Sequence, residues 1–392
     1  MKKFLKRYKL TLTTIAPVHI GSGKTYNSKE YIYENGQFYF PDMGKLYSYV
    51  DSKGKSDSFE KFLMNSGNHN NNEKPRLIDY LKQQAINERN FGGYYISGTG
   101  FESSTYNQRK RTSYKDVIEN MNLNAIPSFI RDGLNYPYIP GSSLKGAIRT
   151  ILLNTHYEKN NFVSSYQKNG KPEVKENKNI IPWGAKKNKD FDDIFNMIRV
   201  SDSKPLSNDD LIIAQKWDFS SISFSAKPLP LQRECIKPNT KIEFIITVEG
   251  DKANDLIKSV SDNAYEFYKE LTYFFLAELD NNGDHKFNSD YIQRTYRDQN
   301  YAPLYLGGGS GVWTKTVFKQ AEKYVKNKYG WSKIVIDKSG KKKELNRTKM
   351  VGKGTLKLTK TKEEALDNKV LIDNNENFYE MGKCIFKIEE ID

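Results

Sequence analysis

The stretch Lys241-Ile242-Glu243-Phe244-Ile245-Ile246-Thr247-Val248 decides the fold class. Ile242, Phe244, Ile246 and Val248 alternate with Lys241, Glu243, Ile245 and Thr247, the period of two expected of a strand with one buried face. Behind it the period changes. Leu256, Val260, Ala264, Phe267, Leu271, Phe274 and Phe275 recur at helical spacing, which predicts one long helix over Asp251–Leu279, ended by Asn282-Gly283. Strands follow at Leu304–Leu306, Ile334–Ile336, Thr355–Leu358 and Cys384–Ile388, with a helix near Thr314–Lys326. Strand, helix, strands, helix, strand is the order of a βαββαβ unit.

The N-terminal half repeats the theme less plainly. Tyr8, Leu10 and Leu12 alternate with Lys9, Thr11 and Thr13 as a strand, and the loop His19–Lys24 follows. Glu30–Glu34 and Gln37–Phe40 flank Asn35-Gly36, a hairpin signal because both turn positions need positive φ. The region from about 45 to 131 reads as a largely helical insertion, with amphipathic pieces at Phe59–Met64 and Leu77–Ile86. Ser142 or Ser143 caps a helix whose stripe is Leu144, Ile148, Ile151, Leu152 and Thr155. Asn160–Asp190 is polar and reads as a mobile loop. The expectation is an α+β protein of two domains, 1–205 with the insertion and 206–392, divided near Asp202–Pro205, the second in the order of a ferredoxin-like (RRM-like, βαββαβ) unit.

Composition narrows the function. With 392 residues and 37% hydrophobic content the chain has material for two packed cores, which excludes disorder throughout. Lys plus Arg outnumber Asp plus Glu by 62 to 48, a net +14 that suits a partner rich in phosphate. The 26 Tyr and 21 Phe beside those cations favour stacked bases over a membrane surface. Met1–Tyr8 is basic without the apolar run of a signal peptide, and no run reaches the roughly 18 apolar residues of a spanning helix, so the expected location is cytoplasmic, with no membrane partner. Cys235 and Cys384, far apart and without a CxxC, read as two buried thiols.

Three glycine-containing segments carry the candidate chemistry. Gly21-Ser22-Gly23-Lys24-Thr25 ends like a phosphate-binding P-loop, but Val18 stands where that motif needs glycine, and a hairpin follows where it needs a helix. Its small residues and Lys24 can hold an RNA phosphate through backbone N–H groups, or form a plain turn. In Gly141-Ser142-Ser143-Leu144-Lys145-Gly146-Ala147-Ile148-Arg149, a lysine in the first turn opposes the helix dipole. A bound phosphate would supply the missing negative charge, and Lys145 and Arg149, four apart, are expected to share one face. Gly307-Gly308-Gly309-Ser310-Gly311 lets a backbone approach a ligand closely beside Trp313 and Lys315, and Val312 excludes a dinucleotide-binding fingerprint.

Two basic tracts leave alternatives open. Ser103–Lys115, with Arg109, Lys110, Arg111, Tyr106 and Tyr114 and no acid, tracks a nucleic-acid backbone or is a solvated loop. Lys338–Lys362, with ten basic residues and Glu344 as its one acid, is a basic hairpin or a lysine-rich surface. His19 lies in the first glycine-containing loop and reads as an RNA-binding residue that hydrogen-bonds or stacks, ahead of an acid or base, since no triad partner can be assigned to it, and no metal-spaced cluster is visible. The sequence argues against a self-sufficient enzyme.

In order along the chain, Pro17-Val18-His19-Ile20-Gly21-Ser22-Gly23, Ile139–Arg149 and Leu306–Gly311 with Lys315 resemble the RAMP superfamily of CRISPR proteins. Arg199-Val200-Ser201-Asp202-Ser203, Arg233-Glu234 and Met381-Gly382-Lys383 are similar to the fifth-subunit group of the type III-A Csm effector complex. The resemblance implies two RRM-like domains, no required cofactor and a non-catalytic role in antiviral defence. It implies a place at the end of a filament of backbone RAMP subunits, where the 3′ part of the crRNA is held. Other Csm subunits, target RNA indirectly, and host nucleases that mature the crRNA are the further implied partners. A sibling subunit cuts target RNA with an aspartate after its glycine motif; Glu30 occupies that region here, so that activity is not carried over. The alternative is a metal-independent endonuclease that processes precursor crRNA through His19.

Overall fold

The structure is a computed structural model that describes residues 5–65, 75–99, 125–156, 166–168, 171–173, 189–220, 225–274, 300–311, 313–315, 326–327, 330–336, 342–346, 356–360 and 378–391. The chain opens with β1 (Leu5–Thr14) and β2 (Gly21–Tyr26), then the hairpin β3 (Ile32–Glu34) and β4 (Gln37–Phe40). Helices α1 (Met43–Ser52), α2 (Ser56–Met64) and α3 (Leu77–Gln83) precede β5 (Tyr94–Thr99) and β6 (Ile126–Phe129). Next come α4 (Gly141–His156), the hairpin β7 (Tyr166–Lys168) and β8 (Lys171–Glu173), α5 (Lys189–Asn196) and β9 (Ile198–Val200). The strands β10 (Leu211–Ser220), β11 (Ser225–Ile236) and β12 (Lys241–Glu249) lead to α6 (Asp251–Lys258) and α7 (Val260–Phe274). The chain ends with β13 (Ala302–Tyr305), β14 (Lys326–Asn327), β15 (Gly330–Ile336), β16 (Lys342–Asn346), β17 (Leu356–Lys360), β18 (Phe378–Glu380) and β19 (Lys383–Ile391).

A five-stranded antiparallel sheet in the order β13-β19-β1-β12-β9 forms the centre. Its register sets Leu10 opposite Phe244 and Ile388, and Leu12 opposite Ile242 and Phe386, so the alternating residues read from the sequence fall on one face. That face is covered by α4 and α7, whose Leu144, Ile148, Ile151, Phe267 and Leu271 join the same hydrophobic core. Taken in chain order, β1, α4, β9, β12, α6 with α7, and β19 have the connectivity of a βαββαβ unit, with β13 added at one edge. This sheet takes strands from both sides of the Asp202–Pro205 point, because β1 pairs with two strands that lie far along the chain.

The second, seven-stranded sheet runs β18-β17-β10-β5-β4-β3 with β11 on β10, and its β5–β10 pair is parallel. Its Asn35-Gly36 turn has φ of 51° and 79° at the two central positions, as the hairpin signal requires.

The structure corrects several elements. Among the described residues of the 45–131 region, α1 to α3 are helical, but β5 and β6 are strands, and 100–124 lie outside the described residues. Tyr94–Thr99 is a strand, where aromatic and β-branched side chains fit a pleated surface, with Tyr95 stacked on Tyr39 at 4.5 Å. Helices α1 to α3 carry a core of their own around Leu46, Val50, Phe59 and Leu81. The long helix is two helices broken at Ser259, whose Oγ donates to the Leu256 carbonyl at 2.8 Å and accepts from Asn263. A serine that bonds the local backbone competes with helix propagation. Its far end with Asn282-Gly283, and most of the helix near Thr314–Lys326, lie outside the described residues; Trp313–Lys315 is a single 3-10 turn. The expected loop at Gly21 is already strand, pairing with β6.

Behind β13 a charged pair is buried. Lys383 and Glu380, 3% and 2% exposed, form an ion pair; Lys383 Nζ also donates to Tyr268 Oη at 2.7 Å, and Tyr305 Oη donates to Glu380 at 2.8 Å. Removing one partner strands the other charge without water. Lys383→Met should therefore lose about 3–5 kcal/mol in urea unfolding, and the double variant Lys383→Met with Glu380→Leu should recover most of it.

Candidate nucleic-acid interface

The start of α4 is shaped by the chain that crosses it. A side chain on Gly141 would put its Cβ 2.3 Å from the Val200 carbonyl oxygen and 2.5 Å from that of Ser201, so only glycine fits. The Gly141 N–H donates to Asp202 Oδ1 at 2.7 Å, Ile139 N–H to Ser203 Oγ at 2.9 Å, and Ser203 N–H to the Ile139 carbonyl at 3.0 Å. Asp202 thus supplies the acceptor and negative charge that a helix N-terminus favours. Neither Ser142 nor Ser143 is the cap: the helix begins one residue earlier, and both hydroxyls sit in its first turn.

Lys145 and Arg149 part company. Four residues advance about 400° around a helix, so the two differ by about 40°. Lys145 faces β9, where Nζ donates to the Ile198 carbonyl at 2.6 Å and lies 4.9 Å from the Phe195 ring centroid. Burial lowers its pKa. The charge read as awaiting a phosphate is partly buried against a backbone carbonyl, whereas Arg149 lines a cleft beside α4.

That cleft, about 370 Å3, joins two of the three glycine segments. From α4 come Ser142, Ser143, Gly146 and Arg149; from the glycine-rich loop and the turn after it come Gly307, Thr314 and Lys315. Phe267, Leu304 and Leu306 form its buried apolar wall. Burial lowers the pKa of Lys315. Ser310 is buried and Thr314 Oγ1 donates to its Oγ at 3.0 Å, so Ser310 braces the loop. Sequence reasoning missed Thr150, Phe267 and Thr314 as lining residues; Phe267 read as core spacing and the two threonines carried no signal.

The third segment supports the loop from behind. Gly308 N–H donates to the His19 carbonyl at 2.7 Å, and Gly307, at φ 81°, brings its Cα so near that a Cβ would lie 2.2 Å from the same oxygen. Leu306 N–H donates to the Gly382 carbonyl at 2.8 Å and Gly382 N–H to that of Pro17 at 3.0 Å, while Arg233 and Met381 lie against Gly309. Gly21 touches the His19 ring. Ser22, Gly23 and Lys24 run on along β2, where Ser22 Oγ meets Ser128 Oγ at 2.5 Å and Lys24 is exposed away from the cleft lining. Gly311 closes the loop, its carbonyl accepting from Thr314 at 3.0 Å. Arg109 and Arg111 lie outside the described residues.

His19 itself is 6% exposed, and its Nδ1 bonds the Glu234 carbonyl at 2.7 Å, which fixes the tautomer with the proton on Nδ1. Burial, with Arg233 adding a smaller repulsion, lowers its pKa from 6.5 to about 4. The Glu234 carboxylate accepts from Phe129 N–H at 2.6 Å and Tyr94 Oη at 2.9 Å, and burial raises its pKa. Cys235 and Cys384 are buried free thiols, and burial pushes Cys235 up to about 12. Among the described residues no group of three His, Cys, Asp or Glu side chains is placed to hold a metal, and no helix is long and apolar enough to cross a membrane.

The RAMP superfamily profile matches residues 11–380. The chain belongs to the RAMP superfamily. It is 48% identical to the Streptococcus thermophilus CRISPR system Cms protein Csm5 over the whole of both chains. It is 30% identical to the Mycobacterium tuberculosis protein of the same name, covering 99% of each. Solved structures show the same fold at 16% identity. A chain of a Csm–crRNA–target RNA ternary complex aligns with TM-score 0.54 over 98% of this chain and 100% of that one. The Csm5 crystal structure from T. onnurineus aligns with TM-score 0.57 over 96% and 99%. The RAMP segments read from the sequence form two hydrogen-bonded sets: Pro17–His19 with Leu306–Gly308 and Gly382, and Ile139–Gly141 with Asp202–Ser203.

Two measurements check this geometry. Because folded His19 binds its proton more weakly than the unfolded chain does, its contribution to stability is complete above pH 6.5. It is lost as pH falls toward about 4, on the order of 3 kcal/mol in total. Urea melts across that window should show the loss in the wild type and a smaller slope in His19→Gln. Gly141→Ala, forced against β9, should destabilise by more than about 2 kcal/mol in the same assay.

Proposed function

We propose that this chain is a non-catalytic RNA-binding subunit of a type III-A CRISPR (Csm) effector complex. In this reading it holds the 3′ part of the crRNA, caps the filament of backbone RAMP subunits and supports crRNA maturation in antiviral defence. One observation carries the reading: the first turns of α4 and the glycine-rich loop, far apart in sequence, line one cleft with Arg149 and Lys315 on it. Cations beside small residues and exposed hydroxyls suit a sugar–phosphate backbone, and the net +14 charge supports the same class of partner. Full-length identity to Csm5 proteins supports placement in such a complex, with other Csm subunits as neighbours.

The setting of His19 speaks against the nuclease alternative. His19 is buried under the glycine loop with Nδ1 engaged, and its carbonyl binds Gly308, which describes a brace rather than a group that reaches a ribose hydroxyl.

Complexes assembled with and without this subunit should differ in the 3′ boundary of the guide RNA they retain; an identical boundary and identical assembly would sink the proposal. In binding titrations of the full chain with single-stranded guide RNA, Arg149→Ala and Lys315→Ala should each flatten the log K against log salt slope by about 0.7. Lys145→Ala, whose amine faces the Ile198 carbonyl, should leave that slope unchanged.

A further inference from the structure

Gly146 stands apart from the other glycines near the cleft. It lies inside α4, where glycine disfavours the helix relative to alanine, yet a Cβ built on it meets no atom within 4 Å. Gly141 and Gly307, by contrast, are dictated by backbone that presses on them. The fold gives no packing reason for glycine at 146. The space its missing side chain leaves open is part of the cleft.

The walls say what fits there. Ile151, Phe267, Leu304 and Leu306 are each 3% exposed or less, so the deep surface is hydrocarbon. A phosphate lodged against it would lose hydration with little in return. Ser142, Ser143, Thr150 and Thr314 also line the cleft, and Arg149 and Lys315, both partly exposed, add charge. Apolar faces with a polar edge and a nearby phosphate describe a nucleotide, and the volume of about 370 Å3 lies at the small-ligand end of binding pockets. We propose that the cleft over Gly146 seats a single unstacked RNA base, its edge toward the hydroxyls and its flanking phosphates toward Arg149 and Lys315. The Thr150 and Thr314 hydroxyls already donate within the protein and keep lone pairs to accept, whereas those of Ser142 and Ser143 can both donate and accept, so the pocket takes any of the four bases. This rests on the RNA-binding reading above.

The test is an abasic scan. Full-length protein is titrated with synthetic guide 3′ RNAs in which each nucleotide in turn lacks its base. One position should lose roughly 5–100-fold in affinity when abasic, while base exchange there changes affinity less than about 2-fold. Gly146→Ala should raise the melting temperature by roughly 1–2 °C, since the helix gains and nothing clashes. Gly146→Leu, which fills the cleft, should bind intact and abasic RNA equally, with the salt slope kept. A flat abasic scan, or Gly146→Leu with undiminished abasic sensitivity, overturns the base pocket. If in addition Arg149→Ala leaves the salt slope untouched, the RNA reading falls with it; a flat scan with a slope lost in Arg149→Ala removes the pocket alone.

Discussion

β1 is hydrogen-bonded along both edges, to β12 on one side and to β19 on the other, and the remaining architecture depends on that double pairing. The register fixes Tyr8, Leu10 and Leu12 on the helix-covered face; a slip of one residue would turn all three outward. Where β1 ends, the chain runs on through Thr14–His19 beneath the glycine-rich loop, its backbone bonded to Lys383, Gly382 and Gly308 in turn. The position of the cleft therefore follows from the position of one strand. Closing so long a loop carries an entropic cost that grows only slowly with length, and the two ladders with their buried face offset it.

Around this frame, polar groups hold the site in shape from behind. Asp202 takes the first N–H of α4, Ser203 exchanges bonds with Ile139, and Lys383 with Glu380, Tyr268 and Tyr305 forms a closed set behind the apolar wall. The buried charges of Lys383 and Glu380 are satisfied inward, by each other and by the two tyrosine hydroxyls, whereas Asp202 is exposed and acts through its bond to the helix start. These contacts lie directly behind residues that line the cleft, Tyr305 among them.

The charge of the molecule is distributed less simply than its sum of +14 suggests. Lys145 faces a carbonyl and an aromatic ring, Lys383 a carboxylate, and Arg131 lies over Tyr94 at 4.0 Å and near Glu234, so several cations serve the fold. Among the described residues, Arg149 and Lys315 are the cations that line the cleft. Formal charge identifies a class of partner, and only geometry says which side chains can meet it.

The sequence by itself determined the strands with clean alternation, the Asn35-Gly36 turn, the apolar stripe of α4 and the RAMP segments, because each is set by neighbours a few residues away. It misassigned the cap of α4 to a serine, the role of Lys145 to a phosphate and Tyr94–Thr99 to a helical insertion, since the groups that decide these matters, Asp202, the Ile198 carbonyl and the β4–β5 ladder, come from other parts of the chain. Only the tertiary structure decided that one sheet spans the middle of the sequence, that His19 is a buried brace, and that Gly146 faces open space rather than packed atoms. The reason is physical: periodicity records which face of an element is buried, whereas long-range pairing decides what that face is buried against.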